Sequence, residues 1–213
     1  KAGGLNEFGI AAYKSTGDFA QDELNWLLSI GGIAVETGKA LGAGLSLDGL
    51  QADHDAVFLS IGLGGVNALK LEGTNDGALD AVDWIADMRQ SKDKTDIAVG
   101  RNVVVIGGGM TAVDAAVQSK LLGAENVTIL YRRSRAEMPA SRFEQDLAAS
   151  KGVRLVFNAK PVRVTGNGAA QALEAEYTVS GPDGLKGTGE TFTIPTDQVL
   201  KAIGQTLEGT PDA

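Results

Sequence analysis

Cysteine is absent from the 213 residues, and histidine occurs once, as His54. Without cysteine, these residues cannot provide disulfides, thiolate nucleophiles, iron–sulfur ligation or cysteine-based zinc sites. A single histidine likewise cannot supply a histidine-rich metal site or a convincing hydrolase triad. We therefore predict no metal site, and we interpret His54 as a structural residue ahead of a strand.

Positive charge is in the minority, with 19 Lys and Arg residues against 27 Asp and Glu residues and a formal net charge of −8. Such a field repels the phosphates of DNA and RNA, so no nucleic-acid partner is expected. No stretch approaches the roughly 18 consecutive apolar residues that cross a bilayer, and no signal peptide opens the sequence. We predict a cytoplasmic protein with no membrane segment.

What the sequence does contain is a strand–glycine–helix pattern over residues 102–122. A β-branched run is interrupted by Gly107-Gly108-Gly109, and an alanine-rich helix follows. The spacing Gly107-x-Gly109-x-x-Ala112 is a dinucleotide-binding fingerprint, because glycine lets backbone N–H groups and a positive helix end approach a pyrophosphate. A second buried strand at 127–131 completes the expected context. We interpret the loop as a nucleotide-phosphate site; a plain tight turn is the alternative.

The end of the second strand indicates which nucleotide is bound. NAD-specific sites place Asp or Glu there for the ribose 2′-hydroxyl, whereas here Arg132, Arg133 and Arg135 lie within four residues. Guanidinium groups bind phosphate in a fork, so these arginines favour NADP(H), with its 2′-phosphate, over NAD(H). A solvated basic loop is the alternative, and NAD(H) stays open as the cofactor. Arg142 belongs either to this cluster or to an exposed helix face, and Asp114 is interpreted as structural.

The rest of the chain indicates an alternation of helices and strands. Residues 1–16 form an irregular glycine-rich stretch. Periodicity predicts helices at 18–29, 45–51, 78–88 and 141–150, the last with a capping-box spacing from Ser141 to Glu144. Apolar runs predict strands at 33–36, 56–61, 153–157 and 198–203. From 161 to 193 the pattern alternates, which predicts an antiparallel excursion with hairpins at 166–168 and 182–184.

Five motifs then occur in an order that is typical of one family. They are Gly3-Gly4-Leu5-Asn6-Glu7-Phe8-Gly9-Ile10 with Lys14, residues 55–62, residues 103–114, Tyr131-Arg132-Arg133 with Met138-Pro139, and Ala202-Ile203-Gly204-Gln205. Over nearly its whole length the chain resembles the flavin/NADPH electron-input module of the glutamate synthase small (beta) subunit and of dihydropyrimidine dehydrogenase with its bacterial partner subunit. The Asn6-Glu7-Phe8 and Ile61-Gly62-Leu63 segments favour the dihydropyrimidine dehydrogenase branch slightly.

The resemblance implies an NADP(H) domain inserted into an FAD domain. It implies the following contacts: Gly107, Gly109, Met110 and Thr111 at the pyrophosphate, Arg132 and Arg133 at the 2′-phosphate, Gly204 near the nicotinamide, and Gly4, Leu5 and Lys14 at the FAD of an intact protein. The FAD domain's own glycine fingerprint, its closing glycine–aspartate motif and the family's iron–sulfur cysteines are absent from these residues. Both ends therefore resemble cuts through a longer polypeptide.

We accordingly predict an α/β protein, a Rossmann-like FAD/NAD(P)-binding fold with a parallel sheet, an antiparallel β excursion at about 160–195 and a partial flanking lobe. Residues 1–63 are expected to be a partial FAD-domain remnant with a linker, and 64–213 the NAD(P)H-binding domain. The predicted function is the NADP(H)-binding portion of a flavoprotein oxidoreductase that passes a hydride from NADPH to FAD and electrons to an iron–sulfur and catalytic partner subunit. The chain alone would turn nothing over, and no catalytic residue is demanded of it. A stand-alone dinucleotide-binding or regulatory module is the alternative.

Overall fold

The computed structural model describes residues 2–72, 77–166 and 169–207. The helices are α1 (Gly4–Phe8), α2 (Phe19–Ser29), α3 (Leu47–Asp53), α4 (Ala81–Gln90), α5 (Met110–Leu121) and α6 (Arg142–Ser150). The strands are β1 (Ala40–Leu41), β2 (Gly44–Leu45), β3 (Gly65–Val66), β4 (Ala78–Asp80), β5 (Asn102–Ile106), β6 (Asn126–Leu130), β7 (Val153–Val156), β8 (Ala159–Gly166), β9 (Ala170–Gly181), β10 (Gly184–Pro195), β11 (Gln198–Lys201) and β12 (Gln205–Thr206).

A five-stranded parallel sheet organises the fold, in the order β4-β11-β5-β6-β7. Its central strands are apolar along their length because both faces of a parallel sheet are covered. Successive side chains of a strand point to opposite faces. In β5, Val103 and Val105 therefore pack against residues of α4, α5 and α6, whereas Val104 and Ile106 pack against residues of β8, β9 and β10.

An antiparallel sheet, ordered β10-β9-β8, forms the third layer. Its own core positions are Ala159, Leu173, Ala175 and Ile194, all at most 9% exposed. The predicted hairpin at 182–184 is confirmed, since β9 and β10 join there with Gly181 opposite Gly184. The other predicted hairpin includes residues 167 and 168, which lie outside the described residues. The predicted α/β fold with a parallel sheet and an antiparallel excursion is thus confirmed.

The amino-terminal segment, residues 2–66, differs from this core. Two strand predictions there are wrong, because residues 33–36 and 56–61 form no strand within the described chain. The second run stays open to solvent, with Phe58 92% and Ile61 54% exposed. Apolar character alone does not make a strand, since a strand also needs a hydrogen-bonding neighbour and a covered face.

Smaller corrections follow from local packing. The entrance to the chain contains the short helix α1 where an irregular stretch was expected, and the helix predicted at 45–51 lies at Leu47–Asp53. The helix predicted from residue 78 begins only at Ala81, because residues 78–80 pair with β11 instead. Among the described residues, no helix combines the length and apolar character needed to span a bilayer. The division into a 1–63 lobe and a 64–213 domain stays a prediction.

Candidate functional site

The glycine loop connects β5 to α5, and each glycine has its own reason to lack a side chain. A Cβ added at Gly107 would lie 2.2 Å from the carbonyl oxygen of Ala202, and Gly107 has a φ of +148°. A Cβ added at Gly108 would lie 2.4 Å from the ring of Tyr131. Close packing therefore leaves no room for a side chain at Gly107 or Gly108.

Gly109 is different, because the space beside it is open. An added Cβ would meet no atom within 4 Å among the described residues. Gly109 is the N-cap of α5, and within the described chain no side chain caps this helix end. The first N–H groups of a helix carry partial positive charge and bind anions readily. The loop thus offers room and hydrogen-bond donors at the same place, as a pyrophosphate requires.

A cleft of about 910 Å³ opens at this loop. It lies at the carboxyl ends of three neighbouring parallel strands, since Gly107 follows β5, Tyr131 follows β6 and Ala202 follows β11. Ligands of open α/β sheets bind at this edge. The cleft is lined by Asn67, Ala68, Leu69, Lys70, Ile106, Gly107, Gly108, Gly109, Thr111, Leu130, Tyr131, Arg132, Arg133, Pro139, Lys160, Pro161, Leu185, Ala202, Ile203 and Gly204.

The arginine cluster is divided by the structure. Arg132 and Arg133 are exposed and line the cleft. Arg135 is turned to α6 instead, where its Nε donates to Gln145 Oε1 at 3.1 Å and its Nη2 lies 2.9 Å from Asp146 Oδ1. Arg142 also pairs with Asp146, on the exposed face of α6. Two arginines therefore remain available to a ligand in the cleft.

The other residues predicted to contact the nucleotide are Met110, Thr111 and Gly204. Thr111 and Gly204 line the cleft, whereas Met110 is 62% exposed and is not among the lining residues. Gly204 has a φ of +98°, and its carbonyl accepts from the backbone N–H of Asn67 at 3.1 Å. The Asn67 side chain donates to the carbonyl of Ile203, also at 3.1 Å. Asn67 thus holds the turn that brings Gly204 to the cleft.

Three polar lining residues were missed by the sequence analysis. Asn67, Lys70 and Lys160 reach the cleft from segments distant in the chain. Lys160 lies 2.8 Å from Glu176 Oε2, so its charge is already paired within the antiparallel sheet. No local pattern marks these residues, because long-range contacts bring them to the cleft: Lys160 arrives with β8, and Asn67 through its bonds to Ile203 and Gly204 next to β12.

Lys14, predicted to contact FAD, joins the amino-terminal segment to the nucleotide-site helices. Its Nζ lies 2.7 Å from Asp114 in α5 and 3.0 Å from Glu144 at the start of α6. The hydroxyl of Tyr13 also donates to Asp114, at 2.8 Å. Asp114 therefore has the structural role expected of it. Gly4 and Leu5 lie in α1, with Leu5 68% exposed, and contact of these three residues with FAD stays a prediction.

The surroundings of Lys14 and Glu144 favour the charged form of both side chains. Burial opposes ionisation of Glu144, but Lys14 and the capping contacts from Ser141 outweigh it and hold the pKa of this carboxyl below its ordinary range. Burial likewise opposes the Lys14 ammonium, and hydrogen bonds to the two carboxylates outweigh it and raise the Lys14 pKa. Burial and Asp114 together raise the pKa of Tyr13, which stays protonated. Among the described residues, no group of acidic residues and histidine is arranged to hold a metal ion.

Comparison with known sequences now identifies the family. The sequence pattern of the pyridine nucleotide-disulphide oxidoreductases matches residues 7–210. The chain belongs to this family. Members of the family are enzymes.

Two relatives illustrate where in the pyridine nucleotide-disulphide oxidoreductases the chain falls. It is 33% identical to the glutamate synthase [NADPH] small chain of Escherichia coli over 220 residues, covering 95% of this chain and 46% of the relative. It is 32% identical to the NAD-dependent dihydropyrimidine dehydrogenase subunit PreT of Salmonella typhimurium over 203 residues, covering 95% and 46%. The chain thus spans less than half the length of these relatives. The resemblance to the glutamate synthase and dihydropyrimidine dehydrogenase family is confirmed.

The fold of this chain is also seen in a solved structure. Mycobacterium tuberculosis FprA in complex with NADPH superposes with a TM-score of 0.76 at 16% identity, covering 98% of this chain and 63% of that one. At this identity the likeness concerns the fold alone. The predicted cofactors, NADP(H) and FAD, agree with membership of this family.

Proposed function

We propose that this chain is the NADP(H)-binding portion of a longer flavoprotein oxidoreductase. The observation that carries the proposal is the meeting of two features at one cleft. The open amino end of α5 at Gly109 suits a pyrophosphate, and Arg132 with Arg133 suits a second, separate phosphate. NADP(H) carries both groups, joined through a ribose, whereas NAD(H) carries only the first.

The chain's own residues contribute binding and orientation. The Gly107–Gly109 turn lets the backbone approach the pyrophosphate, and Thr111 adds a hydroxyl at the helix end. Arg132 and Arg133 neutralise the 2′-phosphate. Gly204, held by Asn67, also lines the cleft, and we assign it to the nicotinamide. NADPH bound there supplies a hydride.

The FAD is assigned to residues beyond this chain. The 213 residues contain a single dinucleotide fingerprint, and Lys14 is engaged with two carboxylates. The residues present do not make up an FAD site by themselves. Because the chain spans less than half the length of the two relatives described above, we infer that the longer protein holds the FAD that NADPH reduces and passes electrons to a partner subunit.

Titration of NADPH and NADH tests the nucleotide assignment. We expect the purified protein to bind NADPH more tightly, and the double variant Arg132→Ala/Arg133→Ala to lose roughly a hundredfold or more in NADPH affinity, because each of the two lost charge-assisted contacts is worth about 1.5–3 kcal/mol. NADH affinity should change little. Calorimetry measures both constants.

Arg101→Ala is the matched control. Arg101 lies at the amino end of β5, opposite the glycine loop, and is 70% exposed in a surface pair with Glu125. Its removal changes the net charge without touching the cleft, so both affinities should be kept. Equal affinity for NADPH and NADH, before and after the double substitution, would refute the 2′-phosphate role.

The flavin part of the proposal needs the whole reading frame that contains this chain. We expect that longer protein to carry FAD and to show NADPH-dependent bleaching of the flavin absorbance. The chain alone should bind nucleotide and oxidise none. A longer protein that purifies without flavin and cannot be reconstituted with FAD would leave the nucleotide-binding module as the better description.

A further inference from the structure

The backbone of the arginine loop is held from the antiparallel sheet. Thr178, in β9, is 4% exposed, and its hydroxyl donates to the carbonyl oxygen of Arg132 at 2.7 Å. Thr178 lies 46 residues beyond Arg132 in the chain. A buried hydroxyl bonded to a loop carbonyl helps to fix the position of that loop, because breaking the bond leaves the hydroxyl of the 4% exposed Thr178 without a partner.

A second contact holds the next residue of the loop. The backbone N–H of Asn158 donates to the carbonyl of Arg133 at 3.0 Å, and the Asn158 carbonyl accepts from the N–H of Thr178 at 2.8 Å. Asn158 has a φ of +53°, which lies in the left-handed region. This turn between β7 and β8 aims the N–H at the loop, and asparagine tolerates the conformation better than most residues.

These contacts converge on the two arginines that face the cleft. The Arg132 carbonyl is bonded to the Thr178 hydroxyl, and the Arg133 carbonyl is bonded to the N–H of Asn158. Asn158 is in turn bonded to the backbone of Thr178, so both contacts depend on the same position of β9. The arginine side chains themselves are exposed, so their location depends on the backbone that carries them. Recognition of a phosphate by guanidinium groups requires placement within about 0.5 Å.

We propose that Thr178 is a positioning residue for nucleotide discrimination, acting through its hydroxyl bond to the Arg132 carbonyl. The inference rests on the proposed function, since it gives the antiparallel sheet a part in recognising the 2′-phosphate. Thr178 is not among the residues that line the cleft. It sets the backbone from which Arg132 and Arg133 reach it.

The test compares Thr178→Val with Thr178→Ser in titrations of NADPH and NADH. Valine keeps the branched shape and removes the hydroxyl, so NADPH affinity should fall about tenfold, the value of one buried hydrogen bond. NADH lacks the 2′-phosphate, and its affinity should stay within about twofold. Serine keeps the hydroxyl, so Thr178→Ser should bind NADPH and NADH with the same preference as the wild type.

Thr165→Val is a control for the loss of a threonine hydroxyl at an exposed position of the same sheet. Thr165 lies in β8 of the same sheet, and its hydroxyl also donates to a backbone carbonyl, that of Ala172, at 3.3 Å. It contacts no part of the arginine loop in that bond. We expect its replacement to leave both nucleotide affinities unchanged.

A double-mutant cycle distinguishes positioning from general destabilisation. In the Arg132→Ala/Arg133→Ala background, Thr178→Val should cause no further loss of NADPH affinity, because there are no guanidinium groups left to place. A loss shared equally by NADPH and NADH, or an undiminished loss in the arginine-free background, would overturn the inference.

Two further outcomes are separated by design. If the wild type shows no preference for NADPH, the proposed function fails; if the preference exists and Thr178→Val keeps it, only the positioning inference fails. Should Thr178→Val not fold, Thr178→Ala is the second variant, because it also removes the hydroxyl that donates to the Arg132 carbonyl. Loss of NADPH preference in that variant supports the inference, and its retention contradicts it.

Discussion

Two apolar runs of similar composition have opposite fates in this protein. Residues 102–106 form β5, with Val105 fully buried, whereas residues 56–61 of the amino-terminal segment form no strand in the described chain and leave Phe58 92% exposed. The difference lies in their surroundings. β5 has β11 and β6 on either side and packed layers above and below. An apolar run is therefore a potential strand, and long-range neighbours determine whether it becomes one.

Two glycines differ in the same way between the core and the amino-terminal segment. Gly107 has backbone atoms of Ala202 where a side chain would be, while Gly62, with a φ of +72°, has open space around it. We expect Gly107→Ala to lower the free energy of unfolding by about 4 kcal/mol, because backbone atoms must move to accept the methyl group. Gly62→Ala should cost only about 1 kcal/mol of left-handed strain. Denaturant unfolding measures both, and equal losses would contradict the contrast.

A pair of isoleucines sharpens the comparison between the two runs. Ile129 in β6 is 1% exposed, and Ile61 is 54% exposed. Ile129→Ala should lower the free energy of unfolding by about 3 kcal/mol through lost burial and a cavity. Ile61→Ala should cost well under about 1 kcal/mol. A large loss at Ile61 would show that residues 56–61 are covered in solution.

Substitution of two lysines tests the contact between the amino-terminal segment and helices α5 and α6. We expect it to change the free energy of unfolding less than the two core substitutions above. Lys14→Met removes the cation between Asp114 and Glu144, and we expect a loss of about 2 kcal/mol in unfolding free energy at neutral pH. Lys39 pairs with Glu36 on the exposed surface, where both side chains are more than half exposed, so Lys39→Met should have no measurable effect. Thermal or denaturant unfolding distinguishes the two.

The Lys14 effect should depend on pH in a defined direction. Because the pKa of Glu144 is lowered in the folded state, its contribution is present above its unfolded value and is lost as the pH falls through the folded value. The difference between wild type and Lys14→Met should therefore be largest near neutrality and shrink below about pH 4. A difference that stays constant down to pH 3 would show that Lys14 stabilises through packing of its aliphatic stem instead.

Local pattern predicted the nucleotide-site half of the fold well. The strand at Asn102–Ile106 and the helix starting at Met110 lie where the sequence placed them, and the capping box from Ser141 to Glu144 is formed. These elements depend on nearest-neighbour chemistry, namely β-branched runs, glycine and helix caps. The cleft itself was predictable only on the side formed by the glycine loop. Lys160 and Thr178 carry no local signal, because they reach the site through pairing of β8 and β9.

The sequence by itself determined that a strand, a glycine turn and a helix would follow one another, with arginines after the next strand. It did so because those features depend on backbone sterics and residue type within a few positions. The tertiary structure decided which arginines face the cleft, which partners Lys14 takes, and that residues 56–61 stay exposed. Those outcomes depend on contacts between residues tens of positions apart, and burial and ion pairing follow from such contacts.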